Sequence, residues 1–471
     1  MDKLLSEFFD DGGAEIGRGS EEALIKAMSA GDGVNAAEFT GGRAMQPEDC
    51  ESTLFNVMRE QQSDFKLMNS LKTTPVKSTV RQYNVRTDVG EEDEGFVGEG
   101  EEAPVNFQEI LRKNREMSFI QKMGAVTEQA LTVDMFEDAF ETEKFATTLS
   151  VLKTAEKFAF HGDSKVVPKQ YDGLLAQIRD TNIGNRNVKD IRGRTITSEG
   201  EGIFTEMTEI IADRGGEANK VFYPYALGQE IQDFVRGRLR FGTADDGGKA
   251  AIVVKEYPTL FGSLEIAGAL AGPSKMFRPK HIVKPRGEKG PAAPSAVVAT
   301  AGAPIVGKSQ FANTDAGNYT YEVFAVNEKG ISAGLKATPV AVAAGDVISI
   351  EITPAAVNGG TGFIICRSAK GGAITMEMVR IARSIEATTI HVDYNDDLPG
   401  TAEMLFLTER KLQVVAEFFQ LLPTRLYRRY STNALVEPFV IALWGTPNLK
   451  APHWCGVVKN IGYRGGLSYG G

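Results

Sequence analysis

Hydrophobic and polar positions change period several times along the chain, and the changes divide it into stretches of different character. Over residues 1–77 helical spacing comes in patches, 21–30 and 54–68, cut by Gly31 and by Gly41-Gly42. Patches so interrupted predict an arm rather than a domain. Residues 78–87, Ser-Thr-Val-Arg-Gln-Tyr-Asn-Val-Arg-Thr, favour extended backbone, although neither alternating face is consistently apolar. A second extended run, 106–123, carries Met117, Phe119 and Met123 on one side and can pair back onto the first. The two predict a long hairpin. An isolated two-stranded ribbon is marginal in water, so this one is expected to lie on another subunit.

Helical period takes over next. Thr132 as N-cap, Asp134 in the first turn and Gly162 as the closing residue predict a helix over 133–160, roughly 42 Å long at ~1.5 Å per residue. Its apolar stripe changes side: Met135, Phe136, Ala139 and Phe140 share one face, while Phe145, Leu149, Leu152 and Ala159 lie nearly opposite. One helix is therefore expected to serve two packing surfaces. A turn-rich α+β segment follows, with helical pattern at 204–212 and 226–239 and a strand at 220–223. Near Pro285 the pattern switches to strand alternation for about a hundred residues. Tyr319, Tyr321, Val323 and Ala325 form one face there, with Thr320, Glu322 and Phe324 on the other. Residues 287–400 are expected to form an inserted β-sandwich. Helical pattern at 412–421 and strands at 435–444 and 456–463 then resume the outer fold.

Composition narrows the function classes. The chain has 471 residues, 42% hydrophobic and 24% charged, ordinary for a folded protein and enough for about three domains. Lys and Arg number 52 against 62 Asp and Glu, a net charge of −10, which offers no long-range attraction to nucleic acid or anionic membrane. Cys50, Cys366 and Cys455 are far apart and form no CxxC pair, so neither a disulfide framework nor a zinc site is expected and a reducing compartment fits best. The first residues lack the pattern of a secretory signal, and no window holds 18 uncharged apolar residues. The expectation is a protein made in the cytoplasm with no membrane span.

Several motifs invite chemistry and fail on context. Gly302 to Ser309, Gly-Ala-Pro-Ile-Val-Gly-Lys-Ser, satisfies the phosphate-loop pattern. A phosphate cradle needs a helix N-terminus after it, and the turn formers Asn313, Thr314, Asp315 and Gly317 follow instead. Gly466-Leu467-Ser468-Tyr469-Gly470 fits a nucleophile elbow but leaves no chain for the Asp and His that must follow. His161, His281, His391 and His453 share no metal spacing. Asp393, Asn395, Asp396 and Asp397 could offer oxygens to calcium, yet they lack the spaced loop that a calcium site uses. The Arg425, Arg428, Arg429 group beside Tyr427 and Tyr430 reads as interface rather than phosphate contact. Asp88, Glu91, Glu92, Asp93, Glu94, Glu99, Glu101 and Glu102 stand among glycines as a solvated hairpin tip. No catalytic residue, metal ligand or cofactor is expected, and the protein is not expected to be an enzyme.

The order of elements, arm, long hairpin with a charged tip, long helix and turn-rich α+β core, resembles the major capsid proteins of tailed bacteriophages with the Hong Kong 97 fold. The local likeness lies in Phe96-Val97-Gly98-Glu99-Gly100-Glu101 with Pro104, in Ala125-Val-Thr-Glu-Gln-Ala-Leu131, and in Gly162-Asp163 followed by Tyr171-Asp172-Gly173-Leu174-Leu175. The insertion resembles immunoglobulin-like or fibronectin type III modules through Tyr319 to Ser332 and Phe363 to Ser368, modules that decorate the outside of some phage capsids. The resemblance implies an N-terminal arm (1–77), an extended loop (78–123) and a peripheral domain with the spine helix (124–203). It further implies a first axial part (204–286), the insertion (287–400) and a return to the axial and peripheral domains (401–471).

Through the resemblance, Tyr83, Val85, Glu99, Phe107, Met117 and Phe119 become the expected inter-subunit contacts of the loop, and Phe136, Phe140, Phe145, Leu149 and Leu152 the packing residues of the spine helix. The implied function is self-assembly into hexamers and pentamers of an icosahedral head, built in the host cytoplasm and residing in the virion. That shell encloses double-stranded DNA without sequence-specific binding, and its net negative charge suits a container that must not grip phosphate. Portal and scaffold or decoration proteins are the implied partners. Lys113 and Lys122 lie on the second strand of the hairpin with nothing to mark either as reactive, so no covalent cross-link is expected. Two other readings fit parts of the sequence: an encapsulin-like bacterial compartment and a surface adhesin built on the β-module.

Overall fold

The computed structural model describes residues 65–88, 96–102, 105–133, 138–181, 187–236, 256–269, 271–275, 279, 290–305, 307–409, 414–430, 435–464 and 466. The helical patch at 21–30, most of that at 54–68, the linker before Gly290 and the Ser468 elbow lie outside them.

In chain order the elements are α1 (Lys66–Ser70), β1 (Lys72–Pro75), β2 (Val80–Asp88), β3 (Glu109–Glu116), β4 (Ser118–Thr127), α2 (Glu128–Thr132), α3 (Ala139–His161) and α4 (Leu174–Thr181). Then come β5 (Val188–Asp190), α5 (Ile196–Glu199), α6 (Gly202–Asp213), β6 (Ala218–Pro224), α7 (Gly228–Arg236), β7 (Glu256–Thr259) and β8 (Gly262–Ala269). The β-rich stretch comprises β9 (Ala296–Gly302), β10 (Gly317–Tyr319), β11 (Tyr321–Asn327), β12 (Gly330–Ile331), β13 (Leu335–Lys336), β14 (Val340–Val342), β15 (Val347–Thr353), β16 (Gly362–Ser368), β17 (Thr375–Ala382) and β18 (Thr389–Asp393). The chain closes with β19 (Ala402–Thr408), β20 (Ala416–Arg428), β21 (Val436–Leu449) and β22 (Gly456–Ile461).

Strands from distant parts of the sequence build two sheets. One has the order β1-β20-β21-β4 and the other β5-β22-β19-β6-β8-β7. Helix α3 packs on β4 and β21, burying Phe140, Val151, Ala155 and Ala159 in the first core, while α6 and α7 cover the second sheet through Phe204, Met207, Ile211 and Ile231. Of the helix expected at 412–421, residues 416–421 are instead the start of β20, and 412–413 lie outside the described residues. Phe418 and Phe419 are both fully buried, the first in the main core and the second beneath the hairpin base. With both faces covered, the strand loses the alternation that would have marked it. Pro423 interrupts its ladder, and the register with β21 shifts on both sides of Leu422.

The long helix also differs from expectation at its start. Thr132 ends the short α2, its hydroxyl donating to Glu128 O at 2.7 Å. The cap of α3 is Asp138, whose carboxylate accepts from Phe140 N at 2.8 Å and Glu141 N at 3.3 Å. A side chain that can reach two unpaired amides outcompetes one already committed to its own turn. The helix therefore has 23 residues. It ends at Gly162 in extended rather than left-handed backbone, where a Cβ would stand 2.3 Å from Tyr171 O. Only glycine allows the chain to return so closely.

The β-rich stretch pairs only within itself among the described residues: β12-β11-β16-β17, with β13 on β11, faces β18-β15-β9, beside the pair β10-β14. Tyr319, Tyr321, Val323 and Ala325 share its interior with Ile348, Ile350 and Phe363. Strand β16 is buried throughout. Its Ile364 and Cys366, with Phe324 of β11, pack outward against Val166 and Val167 of the turn after α3.

Candidate functional site

The hairpin expected from the sequence forms, but shorter than its two extended runs. Strands β2 and β3 pair antiparallel, from Val80 opposite Glu116 to Asp88 opposite Glu109. Residues 118–123, expected to continue the hairpin, instead belong to β4 and pair with β21. The break is at Met117, which is 6% exposed against Val76 and Phe419 and whose N–H donates to Thr79 O at 2.8 Å. Alternation of period two runs straight through the break, so nothing in the pattern marks it. Beyond Met117 the β2–β3 ribbon pairs with no further strand among the described residues. It reaches roughly 30 Å at ~3.4 Å per residue.

A set of contacts at the base sets the direction of this arm. Tyr83, half-buried, has its ring 6.3 Å from that of Phe419 and its hydroxyl donating to Asn448 Oδ1 at 3.1 Å. Arg115 Nε donates to the same oxygen at 3.1 Å, and Arg115 Nη1 pairs with Asp172 Oδ2 at 3.1 Å. The other oxygen of Asp172 accepts from Ser164 N at 2.9 Å. Strand β3, the end of β21 and the turn after α3 thus meet at one guanidinium. Residues 114–119, Ser164 and 168–172, with Thr446, line an open groove of about 500 Å³ here.

Away from the base the side chains lose cover. Val85 is half-buried, Glu99 is exposed, and Phe107 is 79% exposed in company with Phe96, Val105, Ile110 and Leu111. These five large apolar side chains stand in water on a ribbon that has no second layer among the described residues. Phe119, on the outer face of β4, is 52% exposed and stacks edge-on with Trp444 at 5.3 Å. Of the six expected contact residues, Met117 is therefore taken into its own subunit, while Glu99, Phe107 and Phe119 face solvent.

The helix residues divide as well. Phe140 is buried, its ring 5.1 Å from that of Phe439 and 5.0 Å below the Arg428 guanidinium. Leu149 is buried, Leu152 half-buried and Phe145 48% exposed; Phe136 lies outside the described residues. Glu156, on the side facing α1, accepts from Leu67 N and Met68 N, each at 2.9 Å. Burial raises its carboxyl pKa against the opposing pull of those two bonds. Two surfaces of α3 are thus occupied within one chain. Lys122 is bound into α3 through Ser150 Oγ and Thr154 Oγ1 at 2.7 and 2.6 Å.

The motifs that suggested chemistry have structural occupations. Lys308 is exposed, Ser309 Oγ donates to Asp346 O at 2.6 Å, and a single 3-10 turn, Asn313–Asp315, follows. No phosphate could meet a helix N-terminus there. Asp393 accepts from Arg367 Nη1 at 2.6 Å and Tyr321 OH at 2.8 Å. Asn395 Oδ1 accepts from Arg367 Nη2 at 2.7 Å, and Phe311 and Tyr319 flank the guanidinium at 5.5 and 5.3 Å. Asp397 pairs with Lys275. Burial alone would raise its carboxyl, but Lys275, with Lys459 and Arg179, holds it well below the usual carboxylate range. Cations therefore already fill the role that calcium would have played. Burial pushes the Cys455 thiol up to about 12, leaving it inert. Among the described residues no His, Cys, Asp and Glu group is arranged for a metal, and no helix is long and apolar enough to cross a membrane.

No family model matches the sequence, and no curated protein matches it. Solved structures with a similar backbone include the SrpI encapsulin of Synechococcus elongatus PCC 7942, 8% identical, covering 93% of this chain and 100% of that one at a TM-score of 0.45. The capsid of the native GTA particle is 10% identical over 91% of this chain and 100% of that one, with a TM-score of 0.47. A chain of Mycobacterium phage Adephagia is 10% identical over 91% and 98%, with a TM-score of 0.45.

Proposed function

We propose that the chain is a self-assembling shell subunit, the major capsid protein of a tailed-phage head, forming hexamers and pentamers that enclose double-stranded DNA. The observation that carries this reading is the β2–β3 arm: anchored at its base by Met117, Tyr83 and Arg115 and carrying exposed Phe107, Ile110 and Leu111 beyond it. A ribbon of this kind gains its second layer only from another molecule. The outer face of β4, with Phe119 and Met123 exposed, offers apolar ground of the kind such an arm needs. The net charge of −10 agrees with a wall that confines DNA without binding it. The sandwich, which among the described residues pairs with no other sheet, is read as an inserted outer module, and portal and scaffold or decoration proteins are the partners this role requires.

The test is negative-stain electron microscopy of the full chain expressed alone, beside a variant lacking residues 88–105. Closed shells, or rings of five or six, are expected from the full chain, and a folded but unassembled protein from the deletion. Normal shells from the deletion would remove the arm from assembly, and a full chain that stays monomeric with and without a scaffold would overturn the reading.

A further inference from the structure

We propose that the stalk of the arm is the docking surface for the acidic tip of a second copy of this chain, a contact that rests on the arm being the assembly element. Charge is segregated along the ribbon. Residues 87–111 contain Asp88, Glu91, Glu92, Asp93, Glu94, Glu99, Glu101, Glu102 and Glu109 and not one Lys or Arg. The stalk below them carries Arg81, Arg86, Arg112, Lys113 and Arg115 with no acid until Glu116.

The register makes the segregation costly to an isolated chain. Arg81 stands directly opposite Arg115, and like charges across a ladder repel. On that face Arg115 is relieved by Asp172 and Arg81 lies over the Phe419 ring at 6.0 Å. The opposite face has no such relief. Arg112 pairs with Asn84 and Arg86 with Ile110, so the two arginines are diagonal neighbours. Both are exposed, and among the described residues neither has an ion-pair partner.

The described part of the tip, residues 96–102, leaves them bare in the same chain. Glu99, Glu101 and Glu102 are exposed, and among the described residues the one polar contact of these carboxylates is Glu101 accepting from Gly98 N at 2.8 Å. Two guanidinium groups on one part of the ribbon and carboxylates on another, each without an ion-pair partner among the described residues, are satisfied together when the tip of one copy crosses the stalk of the next. Ile110, on the face of Arg86, gives the tip's exposed Phe96 and Val97 apolar surface to cover. A tip-to-stalk contact joins two different patches, and such a contact repeated by rotation closes rings.

The experiment reverses each partner separately in the full chain: R86E/R112E for the stalk and E99K/E101K/E102K for the tip. All five sites are exposed, and far-UV circular dichroism checks that each variant keeps its fold. Sedimentation velocity at about 0.1 M salt, where exposed charges still act over ~10 Å, reads the assembled fraction. Each variant alone should lose on the order of tenfold in assembled fraction. An equal mixture should recover assembly, because Lys tips then meet Glu stalks and Glu tips meet Arg stalks in alternation. Recovery by mixing separates docking between copies from a fold-back within one. Wild-type assembly by either variant, or a mixture no better than its components, overturns the proposal and leaves the shell reading standing. A wild-type chain that never assembles overturns both.

Discussion

Replacing Arg115 with Met keeps the alkyl stem of the anchor and removes its guanidinium. Two bonds go: Nε to Asn448 Oδ1 and Nη1 to Asp172 Oδ2, both 3.1 Å. The ion pair has side chains 23% and 25% exposed, which holds its worth near ~1 kcal/mol, and the bond to buried Asn448 adds about 1 kcal/mol. Neither acceptor is orphaned, since Asn448 keeps Tyr83 OH and Asp172 keeps Ser164 N. The cost should therefore be about 2 kcal/mol and should appear as local opening of the arm rather than as global unfolding. Hydrogen exchange is the assay. Amides of 80–86 and 109–116 should exchange roughly 30-fold faster, since ~1.4 kcal/mol is tenfold, while β20 and β21 change little. Met117→Ala, which empties a buried site, should cost ~2–5 kcal/mol and loosen β20 near Phe419 as well. Unchanged exchange in the ribbon of the Arg115→Met protein, or an equal loss across the whole four-stranded sheet, would refute the assignment of Arg115 as anchor.

Three further outcomes are expected. Arg367→Ala strands the buried carboxylate of Asp393 and should lower the stability of the sandwich by ~3–5 kcal/mol in thermal unfolding; adding Asp393→Asn should recover part of it, and a loss under 1 kcal/mol would contradict the network. Burial, with the Arg380 guanidinium adding to it, pulls the His161 imidazole from 6.5 down to about 4. The folded state thus favours the neutral ring, so this contribution is whole above pH 6.5 and declines as pH falls toward 4, by about 2 to 3 kcal/mol. His391 and His453 are lowered chiefly by burial too, so the comparison is with His161→Gln, whose urea midpoint should vary less over that window. Lys308→Ala should change neither stability beyond ~0.5 kcal/mol nor assembly, and loss of assembly coupled to a loss of ATP hydrolysis would restore the nucleotide reading.

What the sequence made legible, and what it hid, follows from where the determinants lie. The alternation of Tyr319, Tyr321, Val323 and Ala325 is local, and those four residues do share the interior of the sandwich. The ribbon of 80–88 with 109–116 was visible for the same reason. Strand β20 was not, because burial of both Phe418 and Phe419 removes the period on which a strand is recognised. The start of α3 turned on competition between Thr132 and Asp138, settled by which side chain had free amides to accept from. The anchor was invisible altogether: Arg115 meets partners 57 and 333 positions away, and no spacing within Asn114-Arg115-Glu116 announces them.

The turn at 164–172 holds two things at once. On one side its Val166 and Val167 sit against β11 and β16, Val166 O accepts from Thr361 Oγ1 at 3.0 Å, and Lys169 pairs with Glu328 at 2.6 Å. On the other its Asp172 grips Arg115. A Cβ at Gly362 would strike Val166 at 2.5 Å, so this joint has no slack for sliding. A mechanical load applied to the sandwich, by a tether or by pressure from within a container, would pass through these nine residues into the root of the arm. The turn is in that sense a lever's fulcrum: tension on one branch of the molecule becomes torque on the other without any hinge between them.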